Sequence, residues 1–359
     1  MKKKFYGICI ILSFLISLTS QTQANQINLK DAEVYNNQGL AYLIKGDYDK
    51  AIADFNQAIQ INPKYAEAHS NRGNAYWSKG EYNKAISDFN QAIQINPKFA
   101  EAYNNRGFAY LIKGDYDKAI ADFNQAIQIN PKYAEAHSNR GNAYWSKGEY
   151  NKAISDLNQA IQINPKFAEA YNDRGMAYSN KGDYDKAISD FNQAIQINPK
   201  FAEAYNARGL AYWSKGDYDK AIADFNQVIQ INPKFAQTYS NRGNAYRDKG
   251  DYDKAISDFN QAIQINPKFA QAYSNRGLAY YKKGDYDKAI AGYNQAIQID
   301  PKFAQAYINR GIIYAEKGDY NKAISDAQQA INISPNDVKS RKFLEAVRKL
   351  QNKNQKTKP

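Results

Sequence analysis

Apolar and polar positions follow one pattern that recurs every 34 residues between Ala32 and Asp337. Residues 100–133 show it clearly, because their apolar residues have the spacing of one helix side in each of two successive stretches. The first stretch carries Tyr103, Gly107, Ala109 and Tyr110, and the second carries Ala119, Ile120, Phe123, Ala126, Ile127 and Ile129. Gly114 is predicted to end the first helix, and Asp115 is predicted to cap the second. The pattern therefore predicts a helical hairpin in every repeat.

Nine such repeats follow one another without gaps, and this period is typical of helical repeat arrays. They span 32–65, 66–99, 100–133, 134–167, 168–201, 202–235, 236–269, 270–303 and 304–337. Asp337 is then expected to cap a further helix, 338–350, which would cover the open side of the last hairpin. Its apolar face would consist of Phe343, Leu344, Val347 and Leu350. Residues 351–359 are expected to form a disordered basic tail.

Seven positions of the repeat carry a signature. Counted from the first residue of a repeat, they are a large residue at 4, Gly at 8, Tyr at 11, Ala at 20, an aromatic at 24, Ala at 27 and Pro at 32. This signature resembles the tetratricopeptide repeat (TPR) family, and the resemblance covers residues 32–337. Leu157, Ala327 and Val228 depart from it. The resemblance implies an all-α fold, a right-handed superhelical α-solenoid of TPR helical hairpins whose first helices line a concave groove.

The first 24 residues have the features of a secretory signal peptide. Three lysines, Lys2 to Lys4, precede an apolar core at residues 8–18, which is shorter than a membrane-spanning helix. Cleavage after Ala24 would export the protein to the periplasm, the cell envelope or the medium, without a transmembrane span in the mature chain. An uncleaved segment that anchors the protein to a membrane is the alternative. The single cysteine, Cys9, lies inside this segment, which suits an oxidising compartment.

The formal net charge of +12 is concentrated at the two ends of the chain. Residues 1–24 and 338–359 hold most of the excess, so the repeats themselves are close to neutral. Nucleic acid is therefore not expected as a partner of the array, although a basic tail is available to a polyanion.

Catalytic and metal-ligating residues are not expected, so we predict no enzyme activity, no cofactor and no metal. His69 and His137 fall at position 4, where a packing residue belongs. Arginine occupies position 7 in eight repeats, and aspartate occupies position 23 in eight. We expect an ion pair between them, within one repeat or between neighbours, that specifies packing.

Function is expected on one face of the first helices, formed by positions 2, 5, 6, 9, 12 and 13. We call this face the first-helix stripe, and the family resemblance places it in the groove. The repeats vary here while their packing positions barely change, and exposed Trp, Phe and Leu side chains favour binding. Variation that is merely tolerated on a face without packing contacts is the alternative. The candidate peptide-binding residues are Asn71, Asn105, Asn139, Asn74, Asn142, Trp77, Trp145, Trp213, Tyr281 and Phe108.

Asparagine recurs at position 6 in seven repeats. Its amide both donates and accepts hydrogen bonds, so it can pair with a peptide group whatever the neighbouring side chain. Solvated residues copied by duplication are the alternative. The sequence thus favours an exported, non-enzymatic scaffold that binds extended protein segments in its groove. A cell-envelope module that binds glycan or polyanion, through the groove or the basic tail, is the alternative.

Overall fold

The computed structural model describes residues 30–356, with side chains as far as Asn354, and within that range it contains only helices. The helices are α1 (30–44), α2 (Tyr48–Ile61), α3 (Ala66–Ser78), α4 (Tyr82–Ile95), α5 (Ala100–Ile112), α6 (Tyr116–Ile129), α7 (Ala134–Ser146), α8 (Tyr150–Ile163), α9 (Ala168–Asn180), α10 (Tyr184–Ile197), α11 (Ala202–Ser214), α12 (Tyr218–Ile231), α13 (Ala236–Lys249), α14 (Tyr252–Ile265), α15 (Ala270–Lys282), α16 (Tyr286–Ile299), α17 (Ala304–Glu316), α18 (Tyr320–Ile333) and α19 (Val338–Lys356).

The chain divides into two compact parts, one ending at Ala177 and one beginning at Tyr178. Within each part, helices adjacent in sequence pack as hairpins, and the first helix of one repeat also contacts the first helix of the next. The predicted all-α class, a solenoid of stacked helical hairpins, is confirmed. Among the described residues, no helix is both long enough and apolar enough to span a membrane. The predicted signal segment, residues 1–24, lies outside the described range.

In most repeats the hairpin closes around a glycine that faces a large side chain of the second helix. A Cβ added to Gly73 in α3 would lie 2.7 Å from Cε1 of Phe89 in α4, so only glycine lets the helices approach this closely. Phe89 is almost completely buried there, as is the aromatic residue at position 24 in most repeats. In the fourth repeat the smaller Leu157 packs against Gly141. Positions 8 and 24 therefore set the spacing within the hairpin.

The turn between the two helices matches the prediction in its backbone but not in its cap. Gly114 adopts a positive φ of 81°, which only glycine adopts without strain. Asp115 is the N-terminal cap residue of α6, but its carboxylate makes no hydrogen bond to the helix backbone. It pairs instead with Nζ of Lys118 at 3.1 Å, whereas Asp183 does accept a backbone hydrogen bond, from Lys186. The expected capping role of Asp115 is thus corrected to an ion pair.

The arginine at position 7 forms the predicted ion pair with the aspartate of its own repeat. In the third repeat, Nε and Nη2 of Arg106 donate to the two carboxylate oxygens of Asp122 at 2.7 and 2.6 Å. The remaining group, Nη1, donates to Asn90 of the preceding repeat at 2.7 Å. One guanidinium therefore links three helices. The same arrangement is formed by Arg72, Arg140, Arg208, Arg242 and Arg310.

The eighth repeat lacks this ion pair, because Gly292 replaces the aspartate. Arg276 keeps its hydrogen bond to Asn260 at 2.7 Å, but its Nε is buried without a hydrogen-bond partner. Gly292 packs directly on the backbone of Gly277, at 3.0 Å from the place of an added Cβ. Close helix contact has replaced the carboxylate at this position.

The last helix, α19, packs in the manner of a first helix without a second. Asp337 caps it as predicted, accepting hydrogen bonds from the backbone N–H groups of Lys339 and Ser340. Leu344 and Val347 are buried against the array. Leu350 is exposed instead of packed, and the helix continues to Lys356, which corrects the disordered tail predicted from residue 351. Residues 357–359 lie outside the described range.

Candidate functional site

A cavity of about 400 Å³ opens on the first-helix stripe of the N-terminal part. Three consecutive repeats build it, since α1, α3 and α5 each contribute residues from positions 6, 9, 12 or 13. Its lining consists of Leu43, Tyr48, Asn74, Trp77, Ser78, Phe89, Asn105 and Phe108. Four of the candidate residues, Asn74, Trp77, Asn105 and Phe108, thus meet in one place with two further stripe residues, and the lining carries no charged side chain.

The aromatic wall of this cavity is formed by Trp77 and Phe108. Their ring centroids are 5.6 Å apart, and the planes are inclined at 44°. This tilted arrangement is one of the geometries that aromatic pairs prefer. The indole N–H of Trp77 is buried and has no hydrogen-bond partner among the described residues. The wall is therefore rigid and apolar, and it contains one polar group that lacks a partner.

Exposed apolar side chains continue along the N-terminal part of the stripe. Ile44 is 86% exposed, Ile112 is 49% exposed and Trp145 is 36% exposed. A surface of this kind is common where proteins bind a partner. We call the cavity and these flanking side chains the apolar tract.

The C-terminal part presents different chemistry at the same positions. Trp213 donates from Nε1 to Asp248 at 3.0 Å, and the hydroxyl of Tyr281 donates to Glu316 at 2.6 Å. That hydrogen bond to Glu316 is the main reason why the pKa of Tyr281 rises to about 12. Arg247 donates to Asn244 and also pairs with Asp248. Two predicted site residues, Trp213 and Tyr281, are thus engaged within the protein.

The asparagines at position 6 mainly link neighbouring first helices. Nδ2 of Asn71 donates to Asn36 at 2.9 Å, and Nδ2 of Asn139 donates to Asn104 at 3.0 Å. Asn105 donates to Asn74 at 3.1 Å. Each amide keeps a second N–H and an acceptor oxygen, so these bonds leave part of its capacity for a ligand. Sequence reasoning missed this structural use, because it depends on the register between repeats.

Asn142 donates to a carboxylate instead. Its Nδ2 lies 2.9 Å from Oδ2 of Asp173, the residue that replaces asparagine at position 6 of the fifth repeat. Burial, reinforced by the charge of Glu169, raises the pKa of Asp173 above that of an ordinary aspartate. Sequence analysis passed over Asp173, although its break in the asparagine series was the available signal.

The two histidines are buried within the hairpins. Nε2 of His69 lies within hydrogen-bond distance of the Pro63 carbonyl, and Nδ1 lies 3.9 Å from Oδ1 of Asp88. Burial would raise the pKa of Asp88, but the hydrogen bonds from Arg72, together with the nearby His69 ring, hold it below the ordinary value. His137 and Asp156 repeat this geometry. Both histidines occupy the packing positions that the repeat pattern predicts for them.

Comparisons with known proteins agree with the repeat pattern. Family models described as TPR repeat match residues 39–80, 73–114, 109–148, 141–182, 243–284 and 277–318. Models described as tetratricopeptide repeat match residues 168–201, 202–235, 304–337 and 225–257. A search of curated proteins found no significant match.

Two solved structures resemble the fold. The Cut9-Hcn1 hetero-tetramer of APC/C matches with a TM-score of 0.55 and 17% identity, covering 88% of this chain and 76% of that chain. A tetratricopeptide repeat protein from Parabacteroides merdae ATCC 43184 matches with a TM-score of 0.57 and 23% identity, covering 69% and 98% respectively. At these identities the likeness concerns the fold alone.

Proposed function

Because this chain belongs to the tetratricopeptide repeat family, we propose that it is a non-enzymatic scaffold that binds an extended protein segment along the apolar tract. The observation that carries the proposal is the cavity of about 400 Å³ between Leu43, Trp77 and Phe108. Large aromatic side chains in a pocket are the usual energetic anchors of protein interfaces. Asn71, Asn105 and Asn139 belong to the same stripe, and the hydrogen-bonding capacity that their amides have left would hold the backbone of the segment.

The test is selection of peptides on the mature protein, residues 25–359, followed by affinity measurements on purified variants. Replacing Trp77 and Trp145 together by alanine should weaken the binding of the selected peptides by more than about 2 kcal/mol. Trp213→Ala is the matched control, because Trp213 occupies the same position in its repeat but already bonds Asp248. Circular dichroism should show unchanged helix content in all variants. Equal losses for the three tryptophans, or no loss at all, would contradict this use of the apolar tract.

A second candidate function rests on the charge of α19. Its exposed basic side chains are Lys339, Arg341, Lys342, Arg348 and Lys349, whereas Leu344 and Val347 of the same helix are buried. Such a face attracts polyanions, and the attraction falls steeply with salt. Heparin binding that weakens with salt and disappears when the chain ends before Val338 would support this function. Heparin binding that survives the truncation would exclude α19 as its cause.

Export is part of the proposal, and the basic and apolar segments at residues 1–24 support it. The mature protein should then begin at Asn25. Intact-mass measurement of the protein recovered from the cell envelope or the medium tests this directly. Full-length chain in the cytosol would refute export, and full-length chain in the membrane fraction would favour the uncleaved anchor.

A further inference from the structure

The sequence contains a natural matched pair of Trp-bearing repeats. The second and fourth repeats are identical except at position 24, which is Phe89 in one and Leu157 in the other. The repeats that follow them differ at the stripe positions that face the tryptophan. Asn105 and Phe108 follow Trp77, whereas Asp173 and Met176 follow Trp145. We call Trp145, Asp173 and Met176 the acidic subsite.

The carboxylate of Asp173 takes the place that the amide of Asn105 has in the cavity. Asn105 donates to Asn74 at 3.1 Å, and the equivalent bond runs in the opposite direction, from Asn142 to Asp173, at 2.9 Å. The other carboxylate oxygen of Asp173 accepts from Nδ2 of Asn172 at 3.3 Å. Each oxygen accepts one of these hydrogen bonds, and a carboxylate oxygen has a lone pair for a further donor.

The described groups that act on the Asp173 carboxylate are Asn142, Asn172 and Glu169, and none of these is a cation. The adjacent Arg174 directs Nη1 to Asn158 at 2.6 Å, and Lys147 pairs with Asp117. Glu169 adds a second negative charge one helical turn away, and this charge together with burial raises the pKa of Asp173. Asp173 is half-buried, and a partly desolvated carboxylate with no cation beside it is costly, so a cation supplied by a ligand would reduce that cost.

Trp145, like the carboxylate of Asp173, can attract a bound cation. Trp145 is 36% exposed, whereas the ring of Trp77 lies 5.6 Å from that of Phe108, so Trp145 is the more accessible indole of the two. An indole ring attracts a guanidinium or ammonium group through its negative face. We propose that the acidic subsite binds the side chain of an arginine or lysine in the segment that occupies the apolar tract. This assignment rests on the proposed function and makes it specific, because the partner would carry an apolar residue for the cavity and a basic residue for Asp173.

A small probe tests the subsite without any peptide. The mature protein labelled with 5-fluorotryptophan has three fluorine resonances, which Trp→Phe variants assign to Trp77, Trp145 and Trp213. Titration with n-butylguanidinium should shift the Trp145 resonance saturably, while n-butylurea, its neutral isostere, should bind at least about tenfold more weakly. In Asp173→Asn the two probes should bind at Trp145 with similar affinity. Equal shifts from both probes in the parent protein would overturn the proposal.

A transplant provides the reciprocal test. The triple variant Phe89→Leu, Asn105→Asp, Phe108→Met gives the cavity beside Trp77 the residues that occupy the equivalent positions around Trp145. The Trp77 resonance should then respond to n-butylguanidinium as well. The single variant Asn105→Asp serves if the triple variant loses helix content, because Asp173 shows that this position accommodates a carboxylate. A folded variant with Asp at 105 whose Trp77 resonance ignores the probe would count against the carboxylate as the determinant.

Peptides then separate failure of the subsite from failure of the proposed function. Peptides selected on the parent protein should contain a basic residue, and replacing arginine by citrulline should weaken them at least about tenfold, with little further effect in Asp173→Asn. Selected peptides that bind the apolar tract without any basic residue would overturn the subsite and leave the proposed function intact. A Trp145 response to n-butylguanidinium with no peptide bound along the tract would support the subsite and refute the proposed function.

Discussion

The N-terminal and C-terminal parts share one packing scheme but differ on the first-helix stripe. In the N-terminal part, position 12 carries Leu43, Trp77, Leu111 and Trp145, and position 13 alternates exposed isoleucine with serine. In the C-terminal part, Asp248 and Glu316 stand at position 13 and accept hydrogen bonds from position 12 of the preceding repeat. The same backbone therefore presents apolar side chains without polar partners in one part and internally paired polar groups in the other.

This difference shows that a side chain on the stripe has to be judged with its neighbour in the next repeat. Trp77 and Trp213 occupy the same position, yet one lines a cavity and the other is held by a carboxylate. An indole that already has its acceptor offers less to a ligand, because binding would have to displace an existing bond. The apolar tract is thus the part of the stripe with binding capacity left.

The largest expected effect is a loss of stability, and it should differ between an arginine of the N-terminal part and one of the C-terminal part. Arg106→Ala leaves Asp122 buried without its cation. It should lower the free energy of unfolding by about 3 kcal/mol or more. Arg276→Ala in the eighth repeat should cost only about 1 kcal/mol, because it removes one hydrogen bond to Asn260 and strands no carboxylate. Urea unfolding followed by circular dichroism compares the midpoints. Similar midpoints for the two variants would show that the ion pair does not carry this stability.

A second change gives the N-terminal part the pairing seen in the C-terminal part. Ile112 stands to Trp77 as Asp248 stands to Trp213, so Ile112→Asp supplies the missing acceptor for the indole N–H. Selected peptides should bind about 1–2 kcal/mol more weakly, by fluorescence anisotropy. Ile44→Asp is the control, since it introduces the same charge at the same position without a preceding tryptophan. Equal weakening by both variants would indicate a general charge effect.

Replacing the asparagines should have smaller effects on peptide affinity, because their amides hydrogen-bond a neighbouring repeat as well as the ligand. Replacing Asn105 and Asn139 by alanine should weaken peptides of diverse sequence by about 1 kcal/mol for each lost hydrogen bond. Stability should fall by a similar amount, because both amides also bond the preceding repeat. Calorimetry and urea unfolding on the same samples measure the two effects. Lost stability with unchanged affinity would assign the asparagines to packing alone.

The smallest expected effect is a pH dependence at Asp173. Burial and Glu169 raise the folded-state pKa of Asp173 above its value in the unfolded chain, so stability is lost as the pH rises from the unfolded-state pKa to the folded-state pKa. Asp173→Asn should therefore have a higher urea midpoint than the parent at pH 7. The two midpoints should converge at about pH 3, where the carboxyl group is protonated in both the folded and unfolded chain. A constant difference across this range would mean that the substitution acts through packing and not through charge.

Most of the fold follows from sequence, because it depends on contacts within one repeat. These contacts join residues at fixed separations in the chain. They include the hairpins themselves, the turn at Gly114 and the ion pair of Arg106 with Asp122. The site depends on contacts between repeats, whose register the sequence does not display. For that reason the engagement of Trp213 by Asp248 and of Asn71 by Asn36 was not foreseen.

Helix ends were less predictable for a related reason. The Lys118 side chain and the backbone N–H groups of the helix are alternative partners for the Asp115 carboxylate, and Lys118 is the partner in the structure. At the C-terminus, the hydrogen bond from Gln351 to Asn321 repeats the link from Lys113 to Asn83 in the array. This bond lies beyond the predicted end of α19 at residue 350 and accompanies its continuation as helix.

The most direct measurement is a fluorine spectrum of the parent protein, labelled with 5-fluorotryptophan, during titration with a selected peptide. All three tryptophans occupy position 12, so each reports on the same position in a different neighbourhood. We expect the resonances of Trp77 and Trp145 to shift saturably with one affinity, and that of Trp213 to stay in place. A peptide that binds with the same affinity but shifts Trp213, or none of the three, would contradict the assignment of binding to the apolar tract.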